Sequence, residues 1–218
     1  MSGMNRTKIE WTEYSWNPIT GCKHGCWYCY AKKLTQRFKK IFPNGFEPTF
    51  YPERLKEPWE LKKPSKIFVC SIADLFAPWT PQEWREEVFD SMLWCPVKHT
   101  FQMLTKNPEN ISDAEFPDNF WFGATVSTQE ETWRIDELRK VNAKIRFVSF
   151  EPLLGPIKAD LRGIQWIIIG KLTGSKKVKL NLDWVHELTG LAWDRSIPVF
   201  QKDNLGLEIP IQQFPRVG

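Results

Sequence analysis

A chain of 218 residues fits one domain, since a single α/β barrel reaches this size. A hydrophobic share of 42% excludes a disordered chain, and a net charge of +4 permits an anionic partner without requiring one. The opening MSGMNRTKIEWTEYSW holds no apolar signal segment and no later run reaches membrane-spanning length. The expectation is therefore a cytoplasmic protein with no membrane association. In a reducing compartment, five cysteines with three of them clustered point to metal rather than to disulfides.

In chain order, NPITGC (Asn17 to Cys22) reads as a brief first strand running into a cysteine-rich loop. Positions 30–42 follow as a helix with Leu34, Phe38 and Ile41 on one face. The next stretch carries Pro43, Pro48, Pro52, Pro58 and Pro64, too much proline for more than short turns. KIFVCS (Lys66 to Ser71) is a second, buried strand. TPQEWREEVFDSML begins a helix with Thr80 as N-cap, Pro81 in the first turn and Glu83 three residues beyond the cap. HTFQMLT is the third strand, followed by a helical turn at NPENIS. FWFGATVS is the fourth, with TQEETWRIDELRKV as its helix. KIRFVSF is the fifth, with little helix after it, IQWIIIG the sixth, NLDWVHELTGLAWDR a helix, and IPVFQK the seventh.

Nearly continuous apolar strands alternating with helices imply a parallel sheet covered by helices. The fold class expected is α/β, a partial (β/α) TIM-type barrel of six or seven parallel units in one domain over 1–218. A doubly wound sheet competes, but its dinucleotide form loses support because no Gly-x-Gly-x-x-Gly follows any strand.

GCKHGCWYCY places Cys22, Cys26 and Cys29 on one tight loop before a helix. A structural zinc site wants four protein ligands, and here the fourth would have to be His24 or a remote Cys70, Cys95, His99 or His186. A [4Fe-4S] cluster held by three thiolates instead leaves one iron open. S-adenosylmethionine can chelate that iron through its amino and carboxylate groups, and an electron from the cluster then generates a 5′-deoxyadenosyl radical. The alternative from another class is a zinc or iron–sulfur knuckle in a nucleic-acid-binding module without catalysis.

The Cys-x3-Cys-x2-Cys spacing, with Tyr28 just before the third cysteine, resembles the radical S-adenosylmethionine superfamily. A narrower resemblance runs through TKIEWTEYSWNPITGCKHGCWYCYAKKLTQRF, VCSIADLF, HTFQMLTKNPENI, FVSFEPLLGPI and WIIIG. These blocks are similar to a phage- and prophage-associated radical-SAM-like family of unknown function, whose core resembles spore photoproduct lyase-type barrels. The resemblance implies a radical enzyme with a [4Fe-4S] cluster, S-adenosyl-L-methionine and an external electron donor. Its substrate is not implied, and a nucleotide or nucleic acid is the class considered. After the sixth strand, family members usually carry Gly-Gly-Glu-Ser-Gly, whereas this chain reads GKLTGSKKVKL, and its last strand ends FQKDN where the family tends to KQWG. That exchange puts Lys171 at the end of a strand with Lys176, Lys177 and Lys179 behind it, a reversal of charge that suits an anionic substrate.

Barrel chemistry sits at the C-terminal ends of strands. Those ends hold Ser71 and Asp74, Thr105 and Lys106, Thr125 and Ser127, Glu151, and Lys171. Asp74 stands where the superfamily binds the methionine amino group, with an N-cap or turn role as its plain alternative. Thr125 and Ser127 can hydrogen-bond ribose or carboxylate, and Glu151 can bind ribose hydroxyls or pair with Lys106 or Arg146. Tyr28 and Ser71 complete the cofactor-binding candidates. Cys70 and Lys106 are the catalytic candidates, Cys70 as a hydrogen-atom donor and Lys106 as a contact to an anionic substrate. The tryptophans of EWTEYSW and Trp27 are expected to shield the cluster from water. Lys32, Lys33, Arg37, Lys39 and Lys40 give the first helix a basic face, able to track phosphates or simply solvated.

Overall fold

The computed structural model describes residues 4, 6–174 and 178–216. Two compact units divide the chain, Met1–Thr105 and Lys106–Gly218.

In the first unit, β1 (Tyr14–Trp16) lies parallel to β4 (Lys66–Val69), which lies parallel to β5 (Thr100–Thr105). The expected first strand at Asn17 to Cys22 is displaced: the sheet takes YSW just upstream, and Ile19–Thr20 (β2) pairs antiparallel with Thr49–Phe50 (β3) in a separate ribbon. Pro18 has no N–H to give to a ladder. Trp16 is instead the anchor, fully buried with its indole Nε1–H donating to Arg54 O at 2.8 Å.

α1 (Tyr30–Arg37) is shorter than the expected 30–42 helix, and of the expected apolar stripe only Leu34 packs against the core, partly buried. Ala31 and Thr35 turn inward, while Phe38 is 42% and Ile41 56% exposed. The backbone leaves the helical region at Phe38, so residues beyond it no longer follow the 3.6-residue period. Phe42 takes over the packing, closing a small cluster with Ala31 and Ile72. α2 (Gln82–Leu93) begins at Pro81 as N-cap, not at Thr80. The Thr80 hydroxyl is spent elsewhere, donating to Asp74 O at 2.9 Å.

In the second unit, β6 (Phe120–Thr125), β7 (Ile145–Leu153), β8 (Trp166–Lys171) and β9 (Val199–Gln201) are successive parallel neighbours. Between them come α3 (Trp133–Arg139) and α4 (Leu182–Trp193). β6 is buried along its whole length and β8 as far as Gly170, the pattern of strands covered on both faces. β7 outruns the expected KIRFVSF, continuing through Glu151 with a register shift against β8 between Phe150 and Leu153.

Within the first unit the sheet order is β1-β4-β5, and within the second it is β6-β7-β8-β9. Each is chain order, with the β2–β3 ribbon set aside, and neither shows the reversal that defines a doubly wound sheet. No helix among the described residues is long and apolar enough to cross a membrane.

Candidate functional site

The cysteine loop is built on a glycine. Gly21 sits at φ +87°, donates its N–H to Ile72 O at 3.0 Å and bridges to Ala73 beyond the end of β4. A Cβ there would stand 2.2 Å from the Glu47 carbonyl oxygen. Gly21→Ala should therefore destabilise the protein by about 3 kcal/mol, through left-handed strain plus a backbone clash. Gly25, at φ +69° with open space around it, should lose only about 1 kcal/mol as alanine. Chemical denaturation of the two variants measures the difference.

Cys22 donates its N–H to Phe46 O at 3.1 Å, and Cys29 donates its own to Cys26 O at 3.1 Å. Cys29 then caps α1, its sulfur accepting from the Lys32 N–H at 3.4 Å. All three cysteines are partly exposed and none is in a disulfide. Burial pushes the Cys22 thiol up to about 12, and the negative charges of Asp74, Cys26 and Cys29 add to the rise against a backbone hydrogen bond at His24. The loop thus brings three sulfurs and one carboxylate within electrostatic reach of one another.

Asp74 is the hub beneath this loop, only 5% exposed. Its Oδ1 accepts from the Phe76 N–H at 3.1 Å and from the Thr105 hydroxyl at 2.6 Å, and its Oδ2 lies 2.8 Å from His24 Nε2. The His24 ring meets Trp79 edge-on at 4.7 Å. Asn17 holds the neighbouring turn: its Oδ1 accepts from the Ser71 hydroxyl at 3.1 Å and from the Ile72 N–H at 3.2 Å. Tyr30 donates its hydroxyl to Ser71 O at 2.7 Å. Cys70 follows β4 at φ +57°, buried in the core, and burial pushes its thiol up to about 12. It packs there as a small apolar side chain that stays protonated.

Trp11 and Trp16 are core residues, and Trp27 is 49% exposed. Its ring stands edge-on to Tyr28 at 5.4 Å.

Among the described residues no group of three or more His, Cys, Asp or Glu is already spaced as a metal site. The chemistry of the donor set nevertheless fits a three-thiolate cluster. Of the candidate fourth ligands for zinc, His24 lies against Asp74 through Nε2, and Cys70 is enclosed. His99 accepts from the Ser65 N–H at 3.2 Å through Nδ1 and lies 3.0 Å from Pro58 O through Nε2.

The second unit carries the remaining candidates. Lys106 follows β5, half-buried. Thr125 closes β6, its carbonyl accepting from Arg134 Nη1 at 2.9 Å. Ser127 is buried, its N–H donating to Glu131 Oε2 at 2.6 Å. Glu151 pairs with Lys202, Nζ to Oε1 at 2.5 Å, and not with the expected alternative Arg146. Arg146 instead donates to the carbonyls of Arg139 and Val141 at 3.4 and 3.0 Å and lies 3.4 Å from Gln165 Oε1. Gly170 lies under the Glu151–Lys202 pair, and a Cβ on it would come within 2.9 Å of Glu151 Cδ and 3.0 Å of Lys202 Cδ. Lys171 ends β8, bonded through its backbone to both side-chain groups of Asn204. Lys179 is exposed, and Lys176 and Lys177 lie outside the described residues.

Residues 6–208 match the family described as "Protein of unknown function (DUF5131)". The chain belongs to this family. No curated protein matches it. Among solved structures it is similar to spore photoproduct lyase complexed with dinucleoside spore photoproduct, at 12% identity and a TM-score of 0.55. A mutant of that lyase with the same dinucleoside matches at 13% identity and a TM-score of 0.55. Each match covers 83% of this chain and 65% of the lyase chain, so this DUF5131 protein spans about two-thirds of the structures it resembles. At such identity the likeness shows the fold alone. That fold is the α/β partial TIM-type barrel expected from the sequence, and the lyase is a radical S-adenosylmethionine enzyme.

Two partnerships of this DUF5131 protein were not expected from its sequence. His24 reads in the sequence as a metal ligand, whereas in the fold the imidazole is a hydrogen-bonding anchor to Asp74. Lys202 was visible as the charge ending the last strand in VFQK, a strand-end position of the same kind as Glu151.

Proposed function

We propose that this protein is a radical S-adenosylmethionine enzyme in which Cys22, Cys26 and Cys29 hold a [4Fe-4S] cluster. The observation that carries the reading is the loop itself: three reduced thiols between the end of one β-element and the cap of α1, in a partial barrel. Such a cluster, when bound, supplies one-electron cleavage of S-adenosylmethionine followed by hydrogen-atom abstraction from a substrate. The chain's own residues bind and orient. Gly21 and Asp74 fix the loop on the segments that follow β4, and the Cys29 sulfur accepts from the Lys32 N–H at the N-terminus of α1. Tyr28 and Ser71 of the first unit are the positions assigned to S-adenosylmethionine. In the second unit, Lys202 Nζ holds the Glu151 carboxylate through Oε1. An external electron donor completes the system.

The test is anaerobic reconstitution with iron and sulfide, then dithionite and S-adenosylmethionine. Brown protein that releases 5′-deoxyadenosine and methionine supports the reading. Colourless protein holding stoichiometric zinc, or a full cluster that never cleaves the cofactor, overturns it.

A further inference from the structure

The stretch that carries the cysteines is one-signed in charge. From Tyr14 to Phe46 there is no aspartate or glutamate, while Lys23, Lys32, Lys33, Arg37, Lys39 and Lys40 all fall within it and all are exposed. On α1 the buried Ala31 and Thr35 leave Lys32, Lys33 and Arg37 facing water. Aromatic rings are interleaved with these charges: Trp27 is 49% exposed, Tyr30 55% and Phe38 42%.

These rings are exposed but not loose. The Tyr30 hydroxyl is tied to Ser71 O at 2.7 Å, which pins an otherwise solvent-facing ring beside the loop. Trp27 is braced edge-on against Tyr28, and the Arg37 guanidinium lies 5.4 Å from the centre of the Phe38 ring. Tyr30 directly follows Cys29 and Trp27 directly follows Cys26, so two positioned rings flank the third cysteine.

We propose that this surface binds single-stranded nucleic acid, with the bases stacked on Trp27 and Tyr30 and the phosphates tracked by Lys32, Lys33, Arg37, Lys39 and Lys40. A row of cations attracts any polyanion, but pre-positioned rings add energy only for a partner that offers flat π-faces. A duplex keeps its bases stacked on one another, so the single strand is the form that fits. An anionic membrane would want a long amphipathic helix with a free apolar side, whereas α1 is eight residues long and turns Ala31 and Thr35 into the core. An acidic peptide would use the charges and leave the rings idle. As a statement of substrate class, the inference rests on the radical-enzyme reading; as a statement of binding, it stands without it.

The test is fluorescence anisotropy with labelled oligothymidylate and oligouridylate, on the full chain before and after cluster reconstitution. Affinity should fall steeply with salt. Lys32→Ser, Lys33→Ser and Arg37→Ser combined should lower the log–log salt slope by about 0.7 for each phosphate contact removed. Trp27→Ala and Tyr30→Ala should each weaken binding about tenfold at fixed salt and keep the slope, and Tyr30→Phe should lose less than Tyr30→Ala. Preference for one oligonucleotide assigns DNA or RNA within the proposal. It is overturned if the parent chain binds neither, if removing the rings changes nothing, if polyglutamate competes as well as the oligonucleotides, or if phosphatidylserine vesicles bind and the oligonucleotides do not. Lost oligonucleotide binding with intact 5′-deoxyadenosine release sinks only this inference. Intact binding with no cluster sinks only the proposed function.

Discussion

Replacing Cys22, Cys26 or Cys29 by alanine, one at a time, should take reconstituted iron from about four atoms per chain to near zero and abolish 5′-deoxyadenosine release. Two thiolates leave a second iron of the cluster without its protein ligand. Cys95→Ala should keep iron and cleavage, since that thiol lies beyond α2 and burial raises it towards the protonated form. Cys70→Ala should also keep the cluster, because Cys70 is enclosed in the core. Cys29 needs a second variant, since alanine there also removes the cap on the Lys32 N–H, worth about 1 kcal/mol. Cys29→Ser retains a capping oxygen and should melt close to the parent while still failing to hold iron. Loss of the cluster in Cys70→Ala or Cys95→Ala as complete as in the loop variants would contradict the three-ligand scheme.

The strands legible in the sequence were those buried on both faces. FWFGAT and WIIIG read as strands because parallel sheets covered by helices erase alternation and leave a bare apolar run. β1 was not legible: three residues carry too little pattern, and what identifies the strand is Trp16 fitting a closed core, a property of packing rather than of period. The inward face of α1 was misread for a related reason. Leu34, Phe38 and Ile41 follow the helical period, but the helix stops at Arg37, and no glycine or proline before Pro43 announces that end. At the site, the clustering of Cys22, Cys26 and Cys29 was a local fact and could be read directly. The partners that organise the loop are long-range. Asp74 and His24 are separated by fifty residues, Asp74 and Thr105 by thirty-one, and Glu151 and Lys202 by fifty-one. Only the folded sheet brings such pairs together.

Asp74 should be the most sensitive position of the first unit outside the cysteines. Its carboxylate is buried and answers three donors or ring nitrogens at once: the Phe76 N–H, the Thr105 hydroxyl and His24 Nε2. Asp74→Ala leaves a backbone N–H and a hydroxyl without an acceptor in a closed site and frees the imidazole that ties the cysteine loop down. Removing one partner from such a buried network costs about 3–5 kcal/mol. In a chain of this size that lowers the melting temperature by about 6 °C or more. Asp74→Asn separates geometry from charge. Its amide oxygen can keep the Phe76 and Thr105 bonds while its NH2 faces His24, which accepts in its other tautomer. The asparagine variant should therefore melt well above the alanine variant and retain more iron on reconstitution. His24→Ala cuts the same tie from the loop side, so it should lose iron with a smaller thermal penalty than Asp74→Ala. If Asp74→Ala melts with the parent and loads a full cluster, the carboxylate is not what holds the loop.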